Sequence, residues 1–368
     1  MNGMNVTQNS RVTLILPVRR AGAQVMRCLR SIHAGTVVPE IFVMDCTAVP
    51  GALAGVKEQF PQVRVFDFGM NPGRAHAVNT GIHLARTPYV MTFSPALVAG
   101  RHCVERLCRA LDEDSSLLSA QAGILSADDT GRISGAGWKL SGWRVLSGMH
   151  PVIRGKNAKA PYIGRAKITA AQLEAAIYRM EYLEVTGILD ERYYGWLEDL
   201  DLGYRGKLCG FSNLYEPRAV CREAGSAGTG PDTGAGTGPD AGAGTGFGPG
   251  TGTSGFYSQL ETGNMIYFRY KFSPENLVAG LWDRLRDPVT GLWSRMKERF
   301  VGSEAGSDEQ AAVQRGRMLC FQAEMELMER EELGMSVTKQ TLPEEFCLQV
   351  REDGPIGVYP LYLGERSE

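Results

Sequence analysis

The chain has 368 residues, and its 39 Lys and Arg against 41 Asp and Glu leave a net charge of −2, which gives no general electrostatic case for binding nucleic acid or an anionic membrane. That length allows one large α/β domain with an appendage. No apolar run is long enough to span a bilayer, Met1 to Gln8 lacks the regions of a signal peptide, and the 8 cysteines form no C-x-x-C pair, so a soluble cytoplasmic protein with reduced thiols is expected.

Val12 to Val18 is a continuous apolar run ended by Pro17 and followed by Val25, Leu29 and Ile32 at helical spacing, which predicts a strand and then a helix. Ile41 to Met44 predicts a second buried strand, Val56 and Phe60 a short helix, and Val63 to Phe66 a third strand. After Asn71-Pro-Gly73, a helix carries Ala75, Val78, Ile82 and Ala85, and Tyr89 to Phe93 is the fourth strand. A helix from Arg101 to Leu111 and a strand from Ser119 to Leu125 continue the alternation. Such alternation argues for a parallel sheet covered on both faces, with its ligand at the carboxyl ends of the strands.

Gly131 to Lys167 reads as a loop, with Trp138, Trp143 and His150 among Lys139, Arg144, Arg154, Lys156, Lys159, Arg165 and Lys167. It is either a solvated variable loop or a lid whose rings stack on sugars while its cations meet phosphate. Further on, Glu198, Asp199 and Asp201 crowd one turn beside aromatic residues. Acidic residues suit a helix N-terminus, but mutual repulsion also raises a carboxyl pKa and can hold a base ready.

Ala224 to Gly255, with its repeated Thr-Gly-Pro-Asp unit, cannot bury enough apolar surface to order itself and reads as a flexible insertion or linker. Residues 256–300 read as helices packing on the preceding α/β domain, with an interfacial membrane contact as the alternative, and residues 301–368 as a helix and extended tail. Residues 1–223 are then one domain.

Gly187, Asp190, Glu191, Glu198, Asp199 and Asp201, with the strands at Val12–Val18 and Ile41–Asp45, resemble the inverting family 2 glycosyltransferases of the GT-A fold, rhamnosyltransferase-like members included. The resemblance covers about the first 225 residues and resumes weakly near Asn264. It implies a Rossmann-like, mostly parallel α/β sheet with helices on both faces and a C-terminal helical extension. The activity implied is sugar transfer from a nucleotide-diphosphate sugar to an acceptor hydroxyl, with inversion, in cell-surface polysaccharide synthesis. The acceptor would be a saccharide, a lipid-linked molecule or a protein, and any membrane contact would be peripheral, at the inner face; an oligomer is left open. Asp199 is implied as the base, with Glu198 and Asp201 as structural partners. Pro17, Arg19, Asp45, Asn71, Gly73, Arg74, Asn79 and Ser94 are implied on the nucleotide side.

The chain departs from the family where a divalent metal is expected. The Asp-x-Asp after the fourth strand is replaced by Ser94-Pro95-Ala96, and Cys221-Arg222-Glu223 stands where a His should follow Pro217 to Val220. Ser94 and Ala96 cannot replace a carboxylate as hard-metal ligands, so Mg²⁺ or Mn²⁺ binding is weakened, with Glu223 the remaining candidate ligand. Arg74, Arg205 or Arg222 would then stabilise the leaving group. The competing expectation is a non-catalytic nucleotide-sugar-binding or scaffold protein on the same fold. A dehydrogenase is disfavoured, since no G-x-G-x-x-G follows the first strand.

Overall fold

The computed structural model describes residues 10–127, 133–140, 149–151 and 164–224, together with helical positions 263–264, 267–268 and 271–272. The expectations for the Gly/Thr/Pro/Asp-rich segment beyond Ala224, for Trp143 and its neighbouring cations, and for most of residues 256–368 lie outside the described residues. The elements are Val12–Val18 (β1), Ala23–His33 (α1), Glu40–Asp45 (β2), Ala54–Gln59 (α2), Arg64–Asp67 (β3), Arg74–Leu84 (α3), Tyr89–Phe93 (β4), Leu97–Ala99 (β5) and Cys103–Glu113 (α4). They continue with Leu117–Leu125 (β6), Ile133–Gly135 (β7), Trp138–Leu140 (β8), Met149–Pro151 (β9), Ala166–Ile168 (β10), Ala175–Arg179 (β11), Met180–Thr186 (α5), Glu198–Leu208 (α6) and Ser212–Glu223 (β12).

The main sheet runs β10-β12-β6-β11-β4-β1-β2-β3. β3, β2, β1 and β4 are parallel, β12 is parallel to β6, and β11 runs antiparallel to both β4 and β6. From β3 to β12, therefore, β11 alone is reversed, and the expected mostly parallel α/β sheet is present. Alternation along β1 divides the core. Val12, Leu14, Leu16 and Val18 pack with Val25, Leu29 and Ile32 of α1 and Leu107 and Leu111 of α4. Ile15 faces the other way, toward Ala77, Val78 and Ile82 of α3.

The region read as a loop between Gly131 and Lys167 departs from expectation, because it contributes β7, β8, β9 and the start of β10, each three residues long. Strands this short carry too few alternations to show a period. In a second compact unit, the buried helical residues Asn264, Tyr267, Phe268, Lys271 and Phe272 recur at one-face spacing, with Lys271 Nζ 5.5 Å from the Phe272 ring centre.

α6 approaches its neighbours through glycine. A Cβ on Gly203 would sit 2.5 Å from Ala170 Cα and 2.9 Å from the Thr169 carbonyl oxygen, whereas one on Gly55 in α2 would meet nothing within 4 Å. Gly203→Ala should therefore lower the unfolding free energy by about 3 kcal/mol in urea melts, while Gly55→Ala should be neutral or slightly stabilising. Equal effects of the two would show that α6 has room to shift.

Candidate functional site at the carboxyl edge of the sheet

β1, β2 and β4 end at one edge, at Val18, Asp45 and Phe93. Because β11 is reversed, its first residue, Ala175, pairs with Phe93, so the segment entering β11 reaches this same edge. Glu174 thereby lies beside Ser94, whose backbone N–H donates to the Glu174 carbonyl at 2.8 Å. α3 and α6 both begin here, at Arg74 and Glu198. Trp138 arrives from β8, pinned by Trp138 N–H to the Ala170 carbonyl and Thr169 N–H to the Trp138 carbonyl, both 2.8 Å.

These segments bring three carboxylates around one guanidinium. Arg74 Nε donates to Glu198 Oε1 at 2.6 Å, and Arg74 Nη1 donates to Glu174 Oε1 at 2.8 Å. Asp199 Oδ2 accepts from the Trp138 indole at 3.0 Å and from Leu173 N–H at 3.4 Å, while Oδ1 accepts from Leu200 N–H at 2.8 Å. Among the described residues, Glu198 Oε2 is buried without a hydrogen-bond partner. Arg74, Trp138, Gln172, Glu174, Trp196, Leu197 and Asp199 line a tight cleft with room for about one water.

Charge crowding sets the protonation state. Burial pushes the Asp199 carboxyl up from 3.8 to about 7; Glu198 and Glu174 add to this, and Arg74 and the Trp138 bond oppose it. Burial disfavours the Arg74 charge, but Glu198, Glu174 and Asp199 outweigh it and hold the guanidinium well above its ordinary value. Tyr178 is raised by burial and by the nearby Asp199.

The entry to α6 is conformationally restricted. Tyr194, Trp196 and Leu197 have φ of 61°, 77° and 74°, in the region that non-glycine residues rarely adopt. Gly73, at φ 94°, makes room for this turn, since a Cβ there would lie 2.8 Å from Tyr194 Cδ2, and Arg74 N–H donates to the Tyr194 carbonyl at 2.9 Å.

The other sequence-derived candidates fall into two groups. Asp45 is buried at the end of β2, accepting Thr47 N–H at 3.0 Å and the Thr47 hydroxyl at 2.6 Å, beside half-buried Pro17 and exposed Arg19 on the β1 side of the edge. Asn71 accepts Gly73 N–H at 3.2 Å. Asn79 is 3% exposed and clamps α3 to the segment before α6, donating to the Leu189 carbonyl and Glu191 Oε1, both at 2.8 Å, and accepting Leu189 N–H at 3.0 Å. Asp201 is not in the Arg74 cluster: it accepts Arg205 Nε at 2.6 Å and the Tyr193 hydroxyl at 3.2 Å. Arg205, 2% exposed, also donates to the Thr186 and Ile188 carbonyls, which corrects its expected place at a leaving group.

The turn after β4 presents no carboxylate of its own. Ser94 Oγ accepts Ala96 N–H at 3.3 Å, the Ala96 carbonyl accepts Ala224 N–H at 2.7 Å, and Glu223 pairs with Leu97 across the strands. The turn is thus next to Glu223, the remaining candidate ligand, and among the described residues no three His, Cys, Asp or Glu are grouped together.

Glu174 went unnoticed in the sequence because Ala170-Ala-Gln-Leu-Glu-Ala-Ala176 favours helix by propensity and advertises no strand. Trp138 stood out only as an aromatic residue in an apparent loop, with nothing to indicate its carboxylate partner.

No protein-family model matches the sequence, and no curated protein matches it. Among solved structures the chain is similar to GalNAc-T7 in its crystal structure with UDP, GalNAc and Mn²⁺, at a TM-score of 0.47 and 16% identity over 72% of this chain and 51% of that one. It thus spans about half of the GalNAc-T7 chain. It is also similar to the mannosyltransferase PcManGT from Pyrobaculum calidifontis in complex with GDP-Man and Mn²⁺, at a TM-score of 0.46 and 13% identity over 97% of this chain and 87% of that one. Likenesses at this level carry neither substrate nor mechanism across. No helix among the described residues is long and apolar enough to cross a membrane.

Asp199 makes stability depend on pH with a definite sign. Its folded pKa of about 7 lies above the ordinary 3.8, so between these values the unfolded chain ionises while the folded one keeps its proton. Stability then falls as pH rises through that window, and the loss is complete above it. Asp199→Asn removes this dependence. In urea melts its unfolding free energy should gain on wild type by up to about 4 kcal/mol between about pH 4 and pH 8, whatever constant loss its altered hydrogen bonds impose. A pH-independent difference would show that Asp199 ionises normally.

Proposed function

We propose that the chain transfers a sugar from a nucleotide-diphosphate sugar to an acceptor hydroxyl with inversion, and that Asp199 is the general base. The observation that carries this reading is a buried carboxyl raised to about 7, lining a cleft at the carboxyl edge of an α/β sheet. A base poised near neutrality suits removal of a hydroxyl proton as that oxygen attacks. In the proposed step, the acceptor oxygen bonds to the anomeric carbon as the bond to the diphosphate breaks, the proton passes to Asp199, and the diphosphate departs with the electron pair.

On the donor side, Asp45, Pro17 and Arg19 would hold the nucleotide, with Asn71, Gly73, Arg74 and Ser94 toward the phosphates. β2 lies two strands from β4, about 10 Å along the edge, which suits a nucleoside at one end and a diphosphate at the other. Asn79 would act from beneath by holding the turn. Ser94-Pro95-Ala96 carries no carboxylate, which supports a role for cationic side chains in meeting the developing charge, Arg74 at the cleft assisted by others at the edge such as Arg19. The sequence resemblance supports family 2, rhamnosyl transfer and a peripheral place at the cytoplasmic membrane face in cell-surface polysaccharide synthesis, with a saccharide, a lipid-linked molecule or a protein as acceptor.

A nucleotide-sugar-binding or scaffold protein is the second reading. It is favoured by the missing carboxylate after β4 and by a cleft with room for about one water.

Titration with a panel of nucleotides, followed by turnover assays on each sugar conjugate that binds, separates the two. Asp199→Asn should lower turnover by at least about 100-fold with nucleotide affinity within about two-fold of wild type, and a chelator should leave that affinity intact. Nucleotide binding without turnover of any donor would favour the scaffold. Strict Mn²⁺ dependence would return a metal to the site.

A further inference from the structure

We infer that Trp138 is a positioning residue for Asp199, its indole N–H fixing the carboxylate oxygen Oδ2 and stabilising its charged form inside the cleft. The catalytic meaning of this bond rests on Asp199 being the base, but the bond itself can be tested without turnover.

The placement is over-determined. An indole nitrogen is a donor only, and Trp138, 6% exposed, directs that donor to Oδ2 at 3.0 Å. Its backbone is tied to Ala170 and Thr169 on both sides. The preceding residue, Gly137, has φ 95°, and a Cβ there would lie 2.5 Å from Ile168 Cδ1 and 2.9 Å from the Ala170 carbonyl. Gly137 N–H also donates to Gln172 Oε1 at 3.1 Å. A side chain that only filled space would not need its polar atom aimed at the most perturbed carboxyl in the cleft.

The charges facing Asp199 make the bond matter. Glu198 from α6 and Glu174 from the entry to β11 repel its negative charge, Tyr178 of β11 adds to the same side when ionised, and Arg74 of α3 attracts it while already bonded to both glutamates. Against two carboxylates, the Trp138 and Leu173 N–H groups are the donors that hold Oδ2. A hydrogen bond to the ionised form favours that form, so its removal should make Asp199 harder to ionise. Simple loss of packing has no reason to produce that direction.

The experiment uses the full chain labelled at the aspartate carboxyl carbons and at the indole nitrogens of its 5 tryptophans, followed by NMR against pH, with Asp199→Asn assigning the carboxyl signal. In wild type, one indole N–H should titrate together with Asp199. That response should vanish in Asp199→Asn and persist in Trp196→Phe. In Trp138→Phe, the Asp199 midpoint should rise by about half to one unit, and the acid limb of turnover should move with it, giving about a two- to five-fold loss near neutrality that recovers at higher pH. An indole set indifferent to Asp199, or a midpoint that stays or falls in a folded Trp138→Phe, overturns the inference. Should that variant fail to fold, the wild-type indole titration decides alone. If Asp199→Asn keeps full turnover while the coupled titration stands, the base assignment fails and the Trp138 bond survives; if turnover is lost but the titration is uncoupled, the reverse holds.

Discussion

The buried Asp201–Arg205 pair fixes the site from behind. Both side chains are almost fully buried, and Arg205 extends the pair to the carbonyls of Thr186 and Ile188, so the first turn of α6 cannot rotate without breaking a desolvated ion pair. On a helix, successive residues are displaced by about 100°, which sets Asp199 about 200° from Asp201. With Asp201 turned toward the preceding loop, Asp199 must face the opposite way, toward Trp138 and Leu173. Three acidic residues in four positions therefore do different work, and their partners reveal which: Arg205 neutralises Asp201, Arg74 bonds Glu198, and Asp199 is left to neutral donors.

That division, together with burial, explains why Asp199 is the carboxyl that retains its proton. Glu198 and Glu174 share one guanidinium, and an additional ionised carboxylate beside them would be poorly compensated in a buried space. The arrangement persists because the surroundings over-determine it. Gly73, the Asn79 clamp and the left-handed Tyr194, Trp196 and Leu197 hold the turn in a conformation that isolated residues would avoid.

Much of the scaffold was legible in the sequence where burial is continuous on both faces of a strand. Val12–Val18 and Tyr89–Phe93 have the bounds their apolar runs predict, and the helices at α1 and α3 follow the spacing of Val25, Leu29 and Ile32 and of Ala75, Val78 and Ile82. β11 was not legible, because Ala175 and Ala176 carry no strand preference and the strand exists through pairing with β4 and β6 on both sides. The same gap hid Glu174, whose place at the cleft follows from the reversed direction of β11 and not from its neighbours in sequence. Asp199 was visible as a cluster member; that Asp201 differs from it in role is a matter of helical phase and of Arg205, four residues on, turning inward.

An arginine and a metal ion are not equivalent solutions to the charge of a departing diphosphate. A divalent ion brings net positive charge beyond its ligands, whereas Arg74 is already bonded to two carboxylates, so the cluster of Arg74, Glu174 and Glu198 is net negative even with Asp199 protonated. In the proposed reaction, an arriving diphosphate would raise the cost of ionising Asp199 further, and the carboxyl would keep its proton until other cations at the edge offset that charge. Exposed Arg19 and Arg20 directly follow Val18, the residue of β1 that pairs with Asp45 at this edge. Donor binding and the readiness of the base are then coupled through charge alone: an anion held too close to Asp199 without such compensation would bind at the expense of the chemistry.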